Sequence, residues 1–449
     1  MRPARRACTA AAALLAALAS LVGCARPVYE SRPHPPLSRV HSHGTVVGRP
    51  LALAEAIVTR HVVPLPRSDH GVVLAGDVHG RGGSEIVVVE RSGVLVYGTD
   101  GRLLAKTDAA EPVLAGGVLS DVDRDGLADV VTGVAGGADP VVRAFNGRGN
   151  EILSRRLETL GEAFGAVLPA AVRDDALYVR ATENWVAGPR GVVRLSRERL
   201  EPVWFSAVPT SVTGIVLAGD RVVVSNRTQH NGEFDAIGVD ARTRFGFDAR
   251  PQLLVLDAGG SPRVERALGR SDPQNVQSVR FLPMGAQTVV AHLVAGEERI
   301  LLADAATGAV FADRNAGSRV RSLVSFPSSE RVGYAVVTGA DGRWELAAVS
   351  RRGEILAAGR GSGPRPRLLA LVDGESERTA FLAIADRRLV LVDASRTGGW
   401  EVRPGPPTAI TGSVIVTQND SEVLVAGLGA SLELIRIPFV GASAAEDHR

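Results

Sequence analysis

The stretch that most limits the fold is Asp121-Val122-Asp123-Arg124-Asp125-Gly126-Leu127-Ala128-Asp129, taken with the apolar runs on either side. Carboxylates stand at its first, third, fifth and ninth positions, with glycine at the sixth. Alternate residues of a tight loop turn their oxygens toward one point, and hard cations such as calcium need several oxygen ligands. Gly126 supplies the positive φ for the chain to double back, and acids this close repel one another unless a cation lies between them. An EF-hand needs a bidentate acid at position twelve and flanking helices. Position twelve is Thr132, and the flanking runs 113–119 and 129–131 are Val- and Leu-rich and read as strands. The pattern predicts a strand–loop–strand calcium site with Asp121, Asp123, Asp125 and Asp129 as side-chain ligands and the Leu127 carbonyl as a fifth. Its expected role is structural.

A second copy starts at Asp77, with Gly82 sixth and Glu85 ninth, while His79 and Arg81 replace the two middle acids. It keeps the turn and loses the acids that would hold an ion. The 44-residue offset between Asp77 and Asp121 falls within the length of one propeller blade. In these two loops the chain resembles the FG-GAP/VCBS repeats, the blade type of integrin-like and many bacterial surface β-propellers. That resemblance implies an all-β ring of four-stranded blades.

The rest of the sequence is consistent with it. Short apolar runs are separated by Gly, Asp and Asn turns, with no series of long amphipathic helices, and Asp-Gly and Asn-Gly pairs such as 100–101 and 146–147 are strong hairpin signals. Four-strand units can be followed from residues 71, 113, 165, 211, 276, 320 and 367. Three further runs, 409–416, 422–427 and 431–437, lack a fourth strand, which the unassigned run 56–65 can supply from the front. A ring closed by both termini leaves no free edge between first and last blades. The expectation is an eight-bladed propeller with a composite closing blade; seven blades is the alternative, should unit three or four be misdrawn.

Residues 1–23 have a basic start (Arg2, Arg5, Arg6), an apolar stretch and a small-residue end, the layout of a secretory signal peptide. The end, Leu21-Val22-Gly23-Cys24, resembles the lipobox of bacterial lipoproteins, which implies lipidation at Cys24, and in a Gram-negative host Ala25 favours the outer membrane. The only other cysteine, Cys8, lies in the leader, so no internal disulfide is available after cleavage. Residues 24–45, rich in proline, read as an extended tether of about 60 Å. The propeller is expected over 46–440, with a disordered tail at 441–449. Loss of the three leader arginines leaves 48 basic against 49 acidic residues, a balance that gives no reason to expect nucleic acid as a partner.

Catalytic signatures are missing: the sequence has no Gly-x-Ser-x-Gly, no His-Glu-x-x-His and no P-loop. The 304–308 turn, Asp-Ala-Ala-Thr-Gly, resembles that of quinoprotein-like blades and of the lipoprotein of the outer-membrane β-barrel assembly machinery. Four tryptophans are too few for the usual docking tryptophan in each quinoprotein blade. A polar insertion, 226–250, carries Arg227, His230, Phe234, Arg244 and Phe247 and is the candidate for contact with a partner, because Arg with aromatics is the make-up of anchoring contacts. Its Asn226-Arg227-Thr228 also matches a glycosylation sequon. The expected function is a monomeric, non-catalytic binding or scaffold module of the cell envelope, its partner a protein or a glycan. A barrel-assembly-type propeller or a quinoprotein-like dehydrogenase is the alternative.

Overall fold

The computed structural model describes residues 59–438 except 66–70, 109–112, 135–139, 158–163, 184–189, 209, 229–249, 270–274, 327–328, 330, 374–379, 395–399, 409, 411, 419–421 and 430. These residues belong to one compact unit, Ser38–Arg449, and carry thirty-two strands and no helix. Cys24, His230, Phe234, Arg244 and Phe247, with the leader, tether and tail, lie outside the described residues.

The strands run in order as four-strand units. After β1 (Thr59–Pro64), unit one is β2 (Val72–Gly76), β3 (Glu85–Glu90), β4 (Gly93–Tyr97) and β5 (Leu103–Asp108). Unit two is β6 (Val113–Ser120), β7 (Asp129–Val134), β8 (Val141–Phe145) and β9 (Glu151–Arg156). Unit three is β10 (Phe164–Arg173), β11 (Ala176–Glu183), β12 (Gly191–Ser196) and β13 (Pro202–Ala207). Unit four is β14 (Ser211–Ala218), β15 (Arg221–Arg227), β16 (Gln252–Leu256) and β17 (Pro262–Ala267). Unit five is β18 (Ser278–Pro283), β19 (Thr288–Ala295), β20 (Glu297–Asp304) and β21 (Val310–Asn315). Unit six is β22 (Val320–Ser325), β23 (Val332–Ala340), β24 (Gly342–Ser350) and β25 (Ile355–Gly363). Unit seven is β26 (Arg367–Asp373), β27 (Ala380–Ala385), β28 (Arg388–Ala394) and β29 (Trp400–Pro407). Unit eight is β30 (Gly412–Gln418), β31 (Glu422–Leu428) and β32 (Ser431–Pro438). Its fourth strand is β1, antiparallel to β32 from Thr59↔Arg436 to Pro64↔Ser431, as expected for closure by both ends of the domain.

Burial explains the composition of each strand. β3, β4 and β7 are buried along their whole length, so they are runs of β-branched residues rather than alternating patterns. The outer strands β9, β17, β21 and β25 alternate between exposed and half-buried residues. Inner strands follow one another: β30 lies against β2, β2 against β6, and so on through β10, β14, β18, β22 and β26. The last gap is crossed by the Arg367 guanidinium, which donates to the Ile410 carbonyl just ahead of β30 (3.2 Å).

Neighbouring units dock by specific contacts as well as by apolar faces. Trp204 of β13 donates its indole N–H to the Ala258 carbonyl in the next unit's turn (2.9 Å), and Trp400 of β29 donates to Leu346 of β24 (2.8 Å). Gly149, in the β8–β9 turn, has φ 82°, and a Cβ there would sit 2.8 Å from Thr107 Oγ1 and 3.0 Å from the Lys106 carbonyl of β5. In unit three the corresponding turn uses Leu200 at φ 52°; its side chain is fully buried beside Leu157 and Leu195, which offsets the strain.

Units four and five are not separate sheets, as the repeat predicts, but one sheet of eight strands. β15 runs on past its partner in unit four, and Asn226 and Arg227 pair with Val279 and Ser278 of β18. The predicted insertion 226–250 therefore starts too early: Asn226 and Arg227 are strand residues. Asn226 is fully buried, and its amide stands in for a missing strand neighbour, donating to Val224 O (2.9 Å) and Gln252 O (2.7 Å) and accepting from Gln252 N–H (2.9 Å). An amide locked in this way is closed to glycosylation.

Candidate functional site

The loop joining β6 to β7 is built around the carboxylate of Asp129. That residue is 1% exposed, and its Oδ2 accepts the Val122 N–H at 2.7 Å. The N–H of Asp123 also bears on it. The sister loop between β2 and β3 has the same geometry. Buried Glu85 accepts the N–H groups of Val78 (2.9 Å) and His79 (3.2 Å). The ninth-position acid thus closes the turn from beneath in both copies, including the one whose middle acids are gone. Spacing alone marks that residue as an ion ligand and gives no sign of this second duty.

Above Asp129 the chain turns through two left-handed residues, Arg124 (φ 64°) and Gly126 (φ 87°). One potential ligand oxygen each from Asp121, Asp123 and Asp129 lies within 4.8 Å of the other two. Asp121 Oδ2 takes the Gly126 N–H (3.3 Å), while its Oδ1 is buried and has no hydrogen-bond partner. Asp125 stands apart from this group: it is exposed, and its Oδ1 accepts the Leu127 N–H at 2.8 Å. Leu127 packs its side chain against Gly80 of the sister loop.

Electrostatics make the site costly when empty of positive charge. Burial pushes the Asp129 carboxyl up to about 6; the Val122 N–H opposes this, and the Asp123 and Asp125 charges add to it. A divalent cation among Asp121, Asp123 and Asp129 would reverse the balance and occupy the orphaned Asp121 oxygen. The donor set, all oxygen with a carboxylate majority, fits calcium.

Two contacts tie the loop to its neighbours. The Ala128 N–H donates to the Asp77 carbonyl of unit one (2.9 Å), and Arg124 pairs with Glu198 in the β12–β13 turn of unit three. Arg227, the one predicted partner-contact residue within the described residues, is half-buried at the end of β15, and its Nε is buried without a hydrogen bond. Its side chain is therefore placed by the sheet and not by the residues that follow Thr228.

No family model matches the sequence, and no curated protein does. Solved structures match the fold. BamB from Moraxella catarrhalis aligns over all of its chain and 85% of this one, with TM-score 0.51 and 16% identity. The computationally designed Ika8 protein aligns with the same coverages, TM-score 0.51 and 17% identity. The quinohemoprotein alcohol dehydrogenase ADHIIG from Pseudomonas putida HK5 aligns over 88% of this chain and 78% of its own, with TM-score 0.52 and 10% identity. At these identities the likeness is one of architecture: this all-β chain is a β-propeller.

Proposed function

We propose that the chain is a lipid-anchored propeller of the cell envelope that binds or scaffolds rather than catalyses, with a structural calcium ion in the β6–β7 loop. The observation that carries the metal assignment is the convergence of Asp121, Asp123 and Asp129 around a buried, unpartnered Asp121 oxygen. The pattern also assigns Asp125 and the Leu127 carbonyl, but Asp125 lies outside this carboxylate group, with its Oδ1 accepting the Leu127 N–H. The ion's proposed part is to fix a loop whose contacts reach units one, two and three. The FG-GAP/VCBS resemblance of the two N-terminal loops points the same way.

Contact with a protein or glycan is assigned to the excursion after Thr228, which carries His230, Phe234, Arg244 and Phe247. Support for this comes from its base. The Asn226–Gln252 lock and the Thr228–Gln277 pair, with Thr228 N–H donating to the Gln277 carbonyl (2.9 Å), hold both ends on a rigid sheet. Calorimetric titration of the chelator-stripped protein with calcium tests the metal; absence of heat at millimolar calcium ends that assignment. Deleting 229–249 should leave cooperative unfolding intact and abolish recovery of envelope partners by crosslinking. Unchanged recovery would remove the excursion from the binding role.

A second reading, a barrel-assembly-type propeller, is favoured by the 304–308 turn. There Asp304 Oδ1 accepts both the Thr307 N–H (2.7 Å) and the Thr307 hydroxyl (2.8 Å). Co-purification with barrel-assembly components would decide for it.

A further inference from the structure

The outer edge of a propeller blade is a row of unpaired backbone N–H and C=O groups, and native sheets defend such edges with short strands, charges or proline. The outer strands β5, β9, β17 and β21 are six residues long, and each carries two or three charges. β1 ends on Pro64 and β13 starts on Pro202. β29 is eight residues long and contains Pro404, Pro406 and Pro407. β25 departs from this pattern. It is nine residues long, Ile-Leu-Ala-Ala-Gly-Arg-Gly-Ser-Gly, without proline, and its one charge, Arg360, is engaged by Glu345 of β24 (3.0 Å). It is hydrogen-bonded to β24 on one side and, among the described residues, to no strand on the other.

The two halves of β25 differ. Along the far half glycine recurs at every second position, as Gly359, Gly361 and Gly363. Residues two apart share a face of a strand, so this face carries no side chains of its own. Trp344 of β24, directly opposite Gly361, shows what can fill it: a Cβ on Gly361 would lie 2.1–2.5 Å from three carbons of the indole. The near half is apolar. The turn before it rests on unit five, where Arg314 donates to the Gly353 carbonyl and a Cβ on Gly353 would sit 3.2 Å from Leu302. That contact brings Ile355, two residues on, to the seam that Phe311 of β21 also borders. Both side chains are at least half exposed, Ile355 at 56% and Phe311 at 50%.

An open backbone edge selects its own kind of partner, an extended chain that supplies the missing N–H and C=O groups. A second copy of β25 is a poor match. In an antiparallel self-pair opposed residues share a face, so each glycine would meet glycine, Ala357 or Ile355, and the bare face would stay unfilled at its centre. A chain with aromatic or branched residues at alternate positions fills that face from the open side as Trp344 does from β24, since aromatic side chains pack across strand glycines. Its apolar side chains at the other end have Ile355 and Phe311 to rest on.

We infer that the β25 edge is a strand-addition site for an extended segment of a partner protein, one with large apolar side chains at every second position. The site belongs to unit six and rests neither on the excursion after Thr228 nor on the calcium loop.

The experiment titrates the full chain into a fluorescein-labelled probe peptide, Lys-Thr-Phe-Thr-Phe-Thr-Phe-Thr-Lys, and reads anisotropy together with backbone hydrogen exchange. Binding should slow exchange across 355–363 and leave β21 and β29 unchanged. The same peptide with its two middle threonines replaced by proline keeps every phenylalanine but cannot extend a sheet; it should bind at least about tenfold more weakly. Backbone groups point alternately to the two edges of a strand, so one of Ala358→Pro and Gly359→Pro removes an outward N–H and spares the ladder with β24. Whichever of the two still unfolds cooperatively should bind the probe at least about tenfold more weakly; if neither folds, the exchange map of the wild-type protein decides. Deleting 229–249 should leave probe binding as in wild type, which separates this site from the excursion. Absence of binding, equal binding of the proline peptide, protection of another outer strand in place of β25, or a dimer in sedimentation equilibrium with β25 protected would overturn the assignment.

Discussion

Asp129→Asn isolates what the buried carboxylate costs and what a cation would return. Asparagine keeps an oxygen for the Val122 N–H and removes the charge. In the metal-free protein the Asp129 carboxyl rises from 3.8 to about 6. A carboxyl whose folded pKa lies above its unfolded value binds its proton more tightly in the folded state. Its contribution to stability is therefore full below about pH 4 and is lost as the pH rises to about 6. At about 1.4 kcal/mol for each unit, the loss is about 3 kcal/mol at most. In chelator at pH 7, Asp129→Asn should therefore be more stable than wild type by up to that amount, and at pH 4 the two should coincide. Calcium should reverse the order at pH 7: wild type gains stability and the variant, short of one ligand charge, gains little. Urea unfolding followed by tryptophan fluorescence, in chelator and in calcium at both pH values, reads all four conditions. A variant no more stable than wild type in chelator at pH 7 would refute the claim that this charge is held at a cost.

Three further substitutions probe other parts of the fold. Gly149→Ala forces a left-handed φ on a residue with a Cβ and drives it against Thr107 and Lys106 of unit one; it should cost about 1–3 kcal/mol in urea unfolding. Asn226→Ala leaves the Gln252 N–H and carbonyl without their buried partner and should cost about 2–4 kcal/mol, with raised hydrogen exchange at the base of the excursion. Cys24→Ser should move the protein from the detergent phase to the aqueous phase on cloud-point partitioning and leave its melting unchanged; retention in the detergent phase would remove the lipid anchor.

Local pattern carried most of the strands. The turns at 100–101 and 146–147, the Val-rich runs of β3 and β7, and the orphan run before residue 65 could all be read because a β-hairpin is decided by neighbours in sequence. β22 begins and ends where its pattern predicts, at Val320 and Ser325. The convergence of Asp121, Asp123 and Asp129 was legible for the same reason, since these acids lie within nine residues.

What the sequence determined by itself is thus the repeated four-strand unit and the spacing of the acids. Tertiary structure alone decided how those units meet. Asn226 reads as a surface sequon until β18 is brought beside β15, and Asp129 reads only as a ligand until burial makes it the floor of its loop. Arg321 and Arg367 lie 46 residues apart, yet stand together because Ser322 receives the Leu368 N–H. Contacts between units join residues a whole repeat apart, and no local preference encodes which side chain will face which across that gap.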